Sequence, residues 1–375
     1  MPNVIGIVGG GQLGRMLTQA AHNLGFQVYV IDPTPQSPAG QIADKQLVAD
    51  FKDENVIRQL ASMVDFLTFE IELANADILN QLSSLGVKIN PGAETLKTIK
   101  DKFLQKQFLK EQNIPVADFI LIEDRDGLNE AIEYFGYPFI LKARFDAYDG
   151  RGNTLIKGPE DIQTGLAKLK DRLLYAERFV PFIKELAVVA TRGSDGQIST
   201  YPVVETIHKN NICHMVLAPA PVSAFVAEQA NIIAAKTLEH LQGAGVFAVE
   251  MFLTKDDKVL VNEIAPRVHN SGHFSIEGAA TSQFEQHVRA ITGLPLGETK
   301  LKHPAAVMIN ILGDRVGPAQ PSGTDRALAI DGVSVHIYGK HEVRPERKMG
   351  HITATAQNLE QALKKAQFAR AQITI

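Results

Sequence analysis

The sequence predicts an α/β protein with an open parallel sheet at its N-terminus, a mixed middle region and a small β-rich C-terminal part. Three observations carry that prediction. Residues 4–89 alternate short apolar strands with helices, and the first strand runs into Gly9-Gly10-Gly11-Gln12-Leu13-Gly14. Residues 246–264 read as an apolar hairpin bearing two glutamates. Residues 306–338 hold further short strands, followed by a cluster of basic residues. Alternating strands and helices favour parallel pairing, because each helix carries the chain back across the sheet.

At 375 residues the chain is too long for one ordinary domain. Breaks at Asn90-Pro91-Gly92 and Leu294-Pro295-Leu296-Gly297 divide it into residues 1–92, 93–297 and 298–375. A composition of 45% hydrophobic and 21% charged residues describes a soluble globular protein. The net charge of −4 gives no attraction to nucleic acid or an anionic membrane. Cys213 is the single cysteine, which excludes an internal disulfide framework and fits a reducing compartment. No apolar run approaches the ~20 residues that span a bilayer, and no basic segment precedes the first apolar run. Cytoplasm is the expected location.

The N-terminal third opens with a strand at 4–8, a helix at 15–24 and a strand at 28–31 that ends at Asp32. Gly9, Gly11 and Gly14 satisfy the spacing of a dinucleotide-binding turn, with Asp32 near the ribose position. The same turn suits any phosphate, since a helix N-terminus presents free N–H groups. Helices near 54–63 and 74–85 and strands at 66–69 and 88–89 complete the unit. Its ligand crevice lies at the carboxyl ends of the strands, near residues 10–13 and 70–72. There Glu70 and Glu72 face either substrate or a helix N-terminus.

In the middle region, 95–112 reads as one helix whose Lys97, Lys100, Lys102, Lys106 and Lys110 share a broad, mostly solvated face. Lys142 ends an apolar strand at 139–142 and is placed either for a phosphate or for solvent. Residues 145–153 are small, polar and glycine-containing, suited to a loop that closes over phosphates. Strands at 174–181 and 186–191 bring Glu177, Phe179 and Glu185 together, a slot and hydroxyl acceptors that suit an adenosine. A strand at 198–204, a segment containing His208 and Lys209, and a helix at 224–241 lead to the hairpin.

Strands 246–253 and 259–264 flank the turn 255–258. Centring the hairpin on Asp256-Asp257 sets Glu250 opposite Glu263, with Cβ atoms ~5 Å apart. Two carboxylates that close repel unless a proton or a cation lies between them. With Asn262 alongside, a hard cation such as magnesium is the expected occupant. Arg267, His269, Asn270, Ser271, Gly272 and His273 follow, a density of polar groups that suits an anion or substrate. Beyond a helix at 282–292 come strands at 306–312, 327–330 and 333–338, and a terminal helix at 357–372. Between them Lys340, His341, Arg344, Arg347, Lys348 and His351 form either a phosphate site or a solvated basic turn. Taken together, these features describe a magnesium–ATP enzyme that activates an oxyanion.

At Gly11-Gln12-Leu13-Gly14-Arg15-Met16, Tyr148-Asp149-Gly150-Arg151-Gly152, the run from Asn262 to His273 and the run from Val343 to His351, the chain resembles the ATP-grasp superfamily. Within it, the chain is most similar to the 5-(carboxyamino)imidazole ribonucleotide synthetases, bicarbonate-using ATPases of purine biosynthesis. The resemblance covers essentially the whole chain. It implies an ATP-grasp fold with a Rossmann-like N-terminal domain. Glu250 and Glu263 would hold Mg2+. ATP would be bound by Lys102, Lys142, Glu177, Phe179, Val180, Glu185 and His208. Tyr148, Asp149, Arg267, His269 and Asn270 would surround bicarbonate and the aminoimidazole. Gln12, Leu13 and Glu72 would line aminoimidazole ribonucleotide, and Lys340 and Arg347 would hold its 5′-phosphate. A homodimer is implied as well. Asp146-Ala147 stand where the family has Gly-Gly, which adds charge and stiffness to the flap. The competing readings are a formate-using glycinamide ribonucleotide transformylase, a nicotinamide dehydrogenase and a non-catalytic nucleotide-binding regulator.

Overall fold

The structure is a computed structural model that describes residues 3–145 and 152–375. The N-terminal unit runs β1 (Val4–Val8), α1 (Gln12–Asn23), β2 (Gln27–Asp32), β3 (Lys45–Val48), α2 (Glu54–Ala61), β4 (Phe66–Phe69) and α3 (Ala76–Ser84). Its four strands are parallel, in the order β3-β2-β1-β4. Ile5, Ile7, Val28 and Val30 join the core on one face; Val8, Ile31, Leu67 and Phe69 join the core on the other. Such strands are buried on both sides and read as continuous apolar runs, which is why they were legible. The edge strand β3 is half-exposed and polar, and periodicity does not reveal it. The expected strand at 88–89 is only an isolated bridge from Ile89 to Leu67.

The helix expected at 95–112 is two helices, α4 (Ala93–Lys100) and α5 (Lys102–Glu111). Asp101 breaks it: its backbone is extended (φ −87°, ψ 106°) and its carboxylate caps the amides of Phe103 and Leu104. Arg144 grips the same carboxylate through Nε and Nη2. A cap of this kind is worth about 1 kcal/mol. A small antiparallel sheet follows, built from β5 (Phe119–Ile122), α6 (Arg125–Phe135), β6 (Phe139–Ala143), β7 (Asn153–Ile156), α7 (Asp161–Lys168) and β8 (Leu174–Arg178), in the order β5-β8-β6-β7.

The large sheet begins with β9 (Phe182–Arg192), β10 (Ile198–Thr200), β11 (Val204–Lys209) and β12 (Ile212–Ala218). The strand expected at 198–204 is therefore two strands. After α8 (Ala224–His240) come β13 (Gly245–Thr254), β14 (Val259–Ala265), α9 (Ser275–Gly278) and α10 (Gln283–Thr292). The C-terminal part adds β15 (Ala305–Leu312), β16 (Gly317–Pro318), α11 (Thr324–Leu328), β17 (Val333–Ile337), β18 (Glu342–Val343), β19 (Lys348–Ala356) and α12 (Leu359–Gln372). The first half of the strand expected at 327–330 falls in α11, where Ala327 is buried in the same core as Ala362 and Ala366 of α12. β15, β19 and β17 extend the central sheet through β12, giving the path β14-β13-β9-β11-β12-β15-β19-β17. β19 was hidden by its polar residues, and in it His351 and Thr353 are fully buried. His351 thus leaves the basic cluster that the sequence groups it with.

Candidate active site

Glu250 of β13 and Glu263 of β14 are directly opposed, as the sequence pattern predicts. The route to that pairing differs. Leu253 pairs with Val259 and Met251 with Val261, so the turn is centred on Asp256 alone. Asn262 is then an extra residue, a β-bulge that shifts the register by one and restores Glu263 to the face of Glu250. Burial and the Glu263 charge push the Glu250 carboxyl well above the usual range. Burial would also raise Glu263, but the Lys102 ammonium, a hydrogen bond with Glu250 and the Lys142 charge outweigh it and hold Glu263 low. The Glu263 side chain keeps 41% of its exposure, so its charge faces open space.

Lys102, at the start of α5, lies 3.3 Å from Glu263 and 3.8 Å from Glu72. Burial would lower its ammonium, yet the two carboxylates hold it above the usual lysine range. Glu72, in the loop after β4, also accepts from Arg267 Nη2 at 2.9 Å. Three parts of the chain thus meet in one charged chain: Arg267, Glu72, Lys102, Glu263.

Behind it lies a second cluster. The Glu177 carboxylate of β8, 1% exposed, takes Lys142 Nζ at 2.6 Å and Lys106 Nζ at 2.8 Å. Lys106 is 2% exposed and also donates to the Val261 carbonyl. The expectation that this lysine is solvated is therefore wrong. Its signal was present in the sequence as the i, i+4 spacing from Lys102, which puts both on the face of α5 toward β14. Burial pushes the Lys106 ammonium down, while the two lysines overcome the burial penalty on Glu177 and keep it ionised. One carboxylate does not neutralise two ammoniums, so the cluster leaves positive charge suited to a polyphosphate.

Glu185 lies beside His208, with Oε2 and Nδ1 3.2 Å apart but not aligned as a hydrogen bond. Val180 is buried and Phe179 half-buried at the end of β8, and Phe182 stacks on Phe252 with centroids 4.6 Å apart. Phe179, Val180, Phe182 and Glu185 follow one another where β8 leads into β9, and His208 and Phe252 reach them from β11 and β13.

The loop after β14 carries Arg267, His269 and Asn270. His269 Nδ1 accepts from the Ser271 amide, so Nε2 bears the proton; it lies 3.7 Å from Glu250 Oε1. Burial and the Arg267 charge keep this imidazole neutral, far below its usual range. The Asn270 amide pairs reciprocally with Asn310 of β15, at 3.1 and 2.6 Å. His273 is fully buried against Phe284, Tyr338 and His351, and burial pushes it down to about 3. Tyr148, Asp149 and the Asp146-Ala147 positions lie outside the described residues.

At the N-terminal turn, Glu70 occupies the place that a phosphate would take. Its carboxylate accepts from the Gly11 amide at 2.6 Å and from the Gly14 amide at 3.3 Å. A Cβ at Gly9 would meet Glu70 Cγ at 2.7 Å, so glycine is required there by contact as well as by its φ of +104°. Asp32 caps Gly10 at 3.0 Å. Two donors of the α1 N-terminus, the amides of Gly11 and Gly14, are thus satisfied internally by Glu70. Half-exposed Gln12 and buried Leu13 follow it. The 339–341 segment docks on the loop after β2: Gln41 Nε2 donates to the Gly339 carbonyl, and His341 Nε2 meets the Gln36 carbonyl. Lys340 donates to the Lys348 carbonyl and Arg347 to that of Glu342, so two carbonyls orient both cations.

Comparison with known proteins agrees along the length of the chain. Residues 2–100 match a ribonucleotide synthetase preATP-grasp domain, 107–284 an ATP-grasp domain, and 306–365 a phosphoribosylaminoimidazole carboxylase C-terminal domain. The chain is 47% identical over 363 residues to the phosphoribosylaminoimidazole carboxylase of Ogataea methanolica, covering 95% of this chain and 67% of that one. It therefore spans about two thirds of the length of that relative. The crystal structure of N5-carboxyaminoimidazole ribonucleotide synthetase from Thermotoga maritima superposes with a TM-score of 0.90 at 45% identity, over 99% of both chains. The Aspergillus clavatus N5-carboxyaminoimidazole synthase in complex with ADP and 5-aminoimidazole ribonucleotide gives 0.91 at 40% identity, over 98% of this chain and 97% of that one.

Proposed function

Because the chain belongs to the N5-carboxyaminoimidazole ribonucleotide synthetase family of the ATP-grasp superfamily, we propose that it joins bicarbonate to the amine of 5-aminoimidazole ribonucleotide at the expense of ATP. The products are N5-carboxyaminoimidazole ribonucleotide, ADP and phosphate, and the setting is purine biosynthesis. The observation that carries this reading is the chain Arg267–Glu72–Lys102–Glu263. It ties the N-terminal crevice, the polar loop and the carboxylate hairpin into one site.

A bicarbonate oxygen attacks the γ-phosphorus, ADP leaves, and carboxyphosphate forms. The exocyclic amine then attacks its carboxyl carbon, and phosphate departs. The residues serve by position and charge more than by covalent chemistry. Lys102 and Lys142 hold the phosphates. Glu177, Phe179 and Val180 shape the adenine end, and Glu185 with His208 the ribose. Arg267 balances charge on the bicarbonate-derived anion, beside His269 and Asn270, with Tyr148 and Asp149 on the flap. Gln12, Leu13 and Glu72 line the ribonucleotide, and Lys340 and Arg347 take its 5′-phosphate. The opposed Glu250 and Glu263 fit a divalent cation, because their mutual repulsion calls for a proton or a metal between them. Magnesium there would neutralise the charge of the polyphosphate. A cytoplasmic homodimer belongs to the same reading; among the described residues no helix is long and apolar enough to cross a membrane.

The test is ADP release from magnesium–ATP with bicarbonate and aminoimidazole ribonucleotide, each omitted in turn. A rise that needs both small substrates supports the proposal. ADP release that needs neither, or that appears only with formate and glycinamide ribonucleotide, overturns it.

A further inference from the structure

The segment from Glu263 to Asn270 carries four of the proposed site residues, yet it is an edge strand running into a loop. β14 ends the large sheet, and among the described residues its outer edge meets only an isolated bridge from Val116 to Val261. Edge backbone groups need other partners, and a loose edge would let Glu263 and Arg267 wander.

Two buried glutamines supply those partners. Gln105 of α5, 1% exposed, accepts from the Ile264 amide through Oε1 at 2.9 Å and donates from Nε2 to the Ile264 carbonyl at 3.1 Å. Gln283 of α10, fully buried, does the same to His269: Oε1 accepts its amide at 2.9 Å and Nε2 donates to its carbonyl at 2.7 Å. The His269 backbone is extended (φ −135°, ψ 157°), so its N–H and C=O point the same way, as toward a neighbouring strand. Each side-chain amide thus stands in for one peptide of a missing strand. The remaining Nε2 donor of Gln105 goes to the Ile99 carbonyl, and that of Gln283 to His273 Nδ1 at 3.1 Å. The amide orientations are fixed by these partners, because a backbone N–H meets only an acceptor and a carbonyl only a donor.

We infer that Gln105 and Gln283 are positioning residues that clamp the Glu263–Asn270 segment at both ends, one beside the carboxylate pair and the other at His269. The inference rests on the site roles proposed above. It makes a chemical distinction: the amide is required, and neither its volume nor a carboxylate of the same shape replaces it. Glutamate keeps the acceptor but loses both donors and sets negative charge against a carbonyl.

The experiment compares Gln105→Met, Gln105→Glu, Gln283→Met and Gln283→Glu with the parent chain. The first readout is hydrogen exchange of single amides by NMR. The Ile264 amide is expected to lose protection in the Gln105 variants and the His269 amide in the Gln283 variants, with β13 and the rest of α10 unchanged. The second readout is kinetic. The Gln283 variants are expected to lose about 10- to 100-fold in kcat/KM for bicarbonate with the dissociation constant for ATP unchanged. The Gln105 variants are expected to need about 10-fold more magnesium for half-maximal rate. Unchanged exchange overturns the clamp. Lost protection with parental kinetics overturns its role in positioning. A parent chain that shows no bicarbonate-dependent turnover overturns the proposed function instead, and the exchange readout still decides the clamp.

Discussion

Glu250 and Glu263 face each other because Asn262 is bulged out of register between them. A one-residue slip moves a side chain to the opposite face of a sheet. Without the bulge the partner of Glu250 would be Asn262. The expected consequence of Glu263→Gln is ADP release lowered about 100- to 1,000-fold, with the fold kept but some stability lost because Lys102 loses the carboxylate 3.3 Å away. Parental turnover in that variant would remove the carboxylate pair from the mechanism.

Glu177 holds two buried lysines with one carboxylate. Removing one partner of a buried ionic group costs about 3–5 kcal/mol, because the remaining charge is stranded. Glu177→Gln is expected to lower unfolding stability by that order in urea titrations. Adding Lys106→Met should recover part of the loss by removing one stranded ammonium. Simple additivity of the two losses would show that the groups are not coupled.

Glu70 offers a pH test. Burial pushes its carboxyl up to about 7, against the hydrogen bonds from Gly11 and Gly14 and the Arg267 charge, while Asp32 adds to the rise. The folded state then binds the proton more tightly than the unfolded chain does. Stability from this group is full below about pH 4.5 and is lost as pH rises through about 7. The upper bound is about 3 kcal/mol. Glu70→Gln should flatten the stability curve over that window; an unaltered slope would assign it to other groups.

His287 has the opposite sign. Its Nδ1 accepts from the Val246 amide, so Nε2 donates to Thr68 Oγ1, joining the N-terminal sheet to β13. Burial pushes this imidazole down to about 3. Stability from His287 is present above about pH 6.5 and lost as pH falls toward 3. His287→Gln is expected to weaken the neutral protein and to reduce its acid sensitivity between those values. Acid unfolding at the parental midpoint and slope would show that His287 does not control it.

Most strands, the helices at 224–240 and 359–372, and the carboxylate hairpin were legible because burial on one or both faces writes itself into periodicity. Lys106 was misread because a lysine next to other lysines looks like a solvated face. Only the opposing Glu177, seventy-one positions later, gives its charge a reason to be buried. β19 was missed for a related cause: its polar residues are buried inside the sheet, where His351 Nδ1 meets the Tyr338 hydroxyl at 2.9 Å.

By itself, then, the sequence determined the α/β architecture, the two opposed glutamates and the family, since these depend on local pattern and on motifs contiguous in the chain. The tertiary structure alone decided which groups meet at distance. It filled the glycine turn with Glu70, split a helix at Asp101 just before Lys102, and placed Gln105 and Gln283 against a strand edge. The physical reason is that a buried polar group must find a partner, and the identity of that partner is a property of packing rather than of neighbouring sequence.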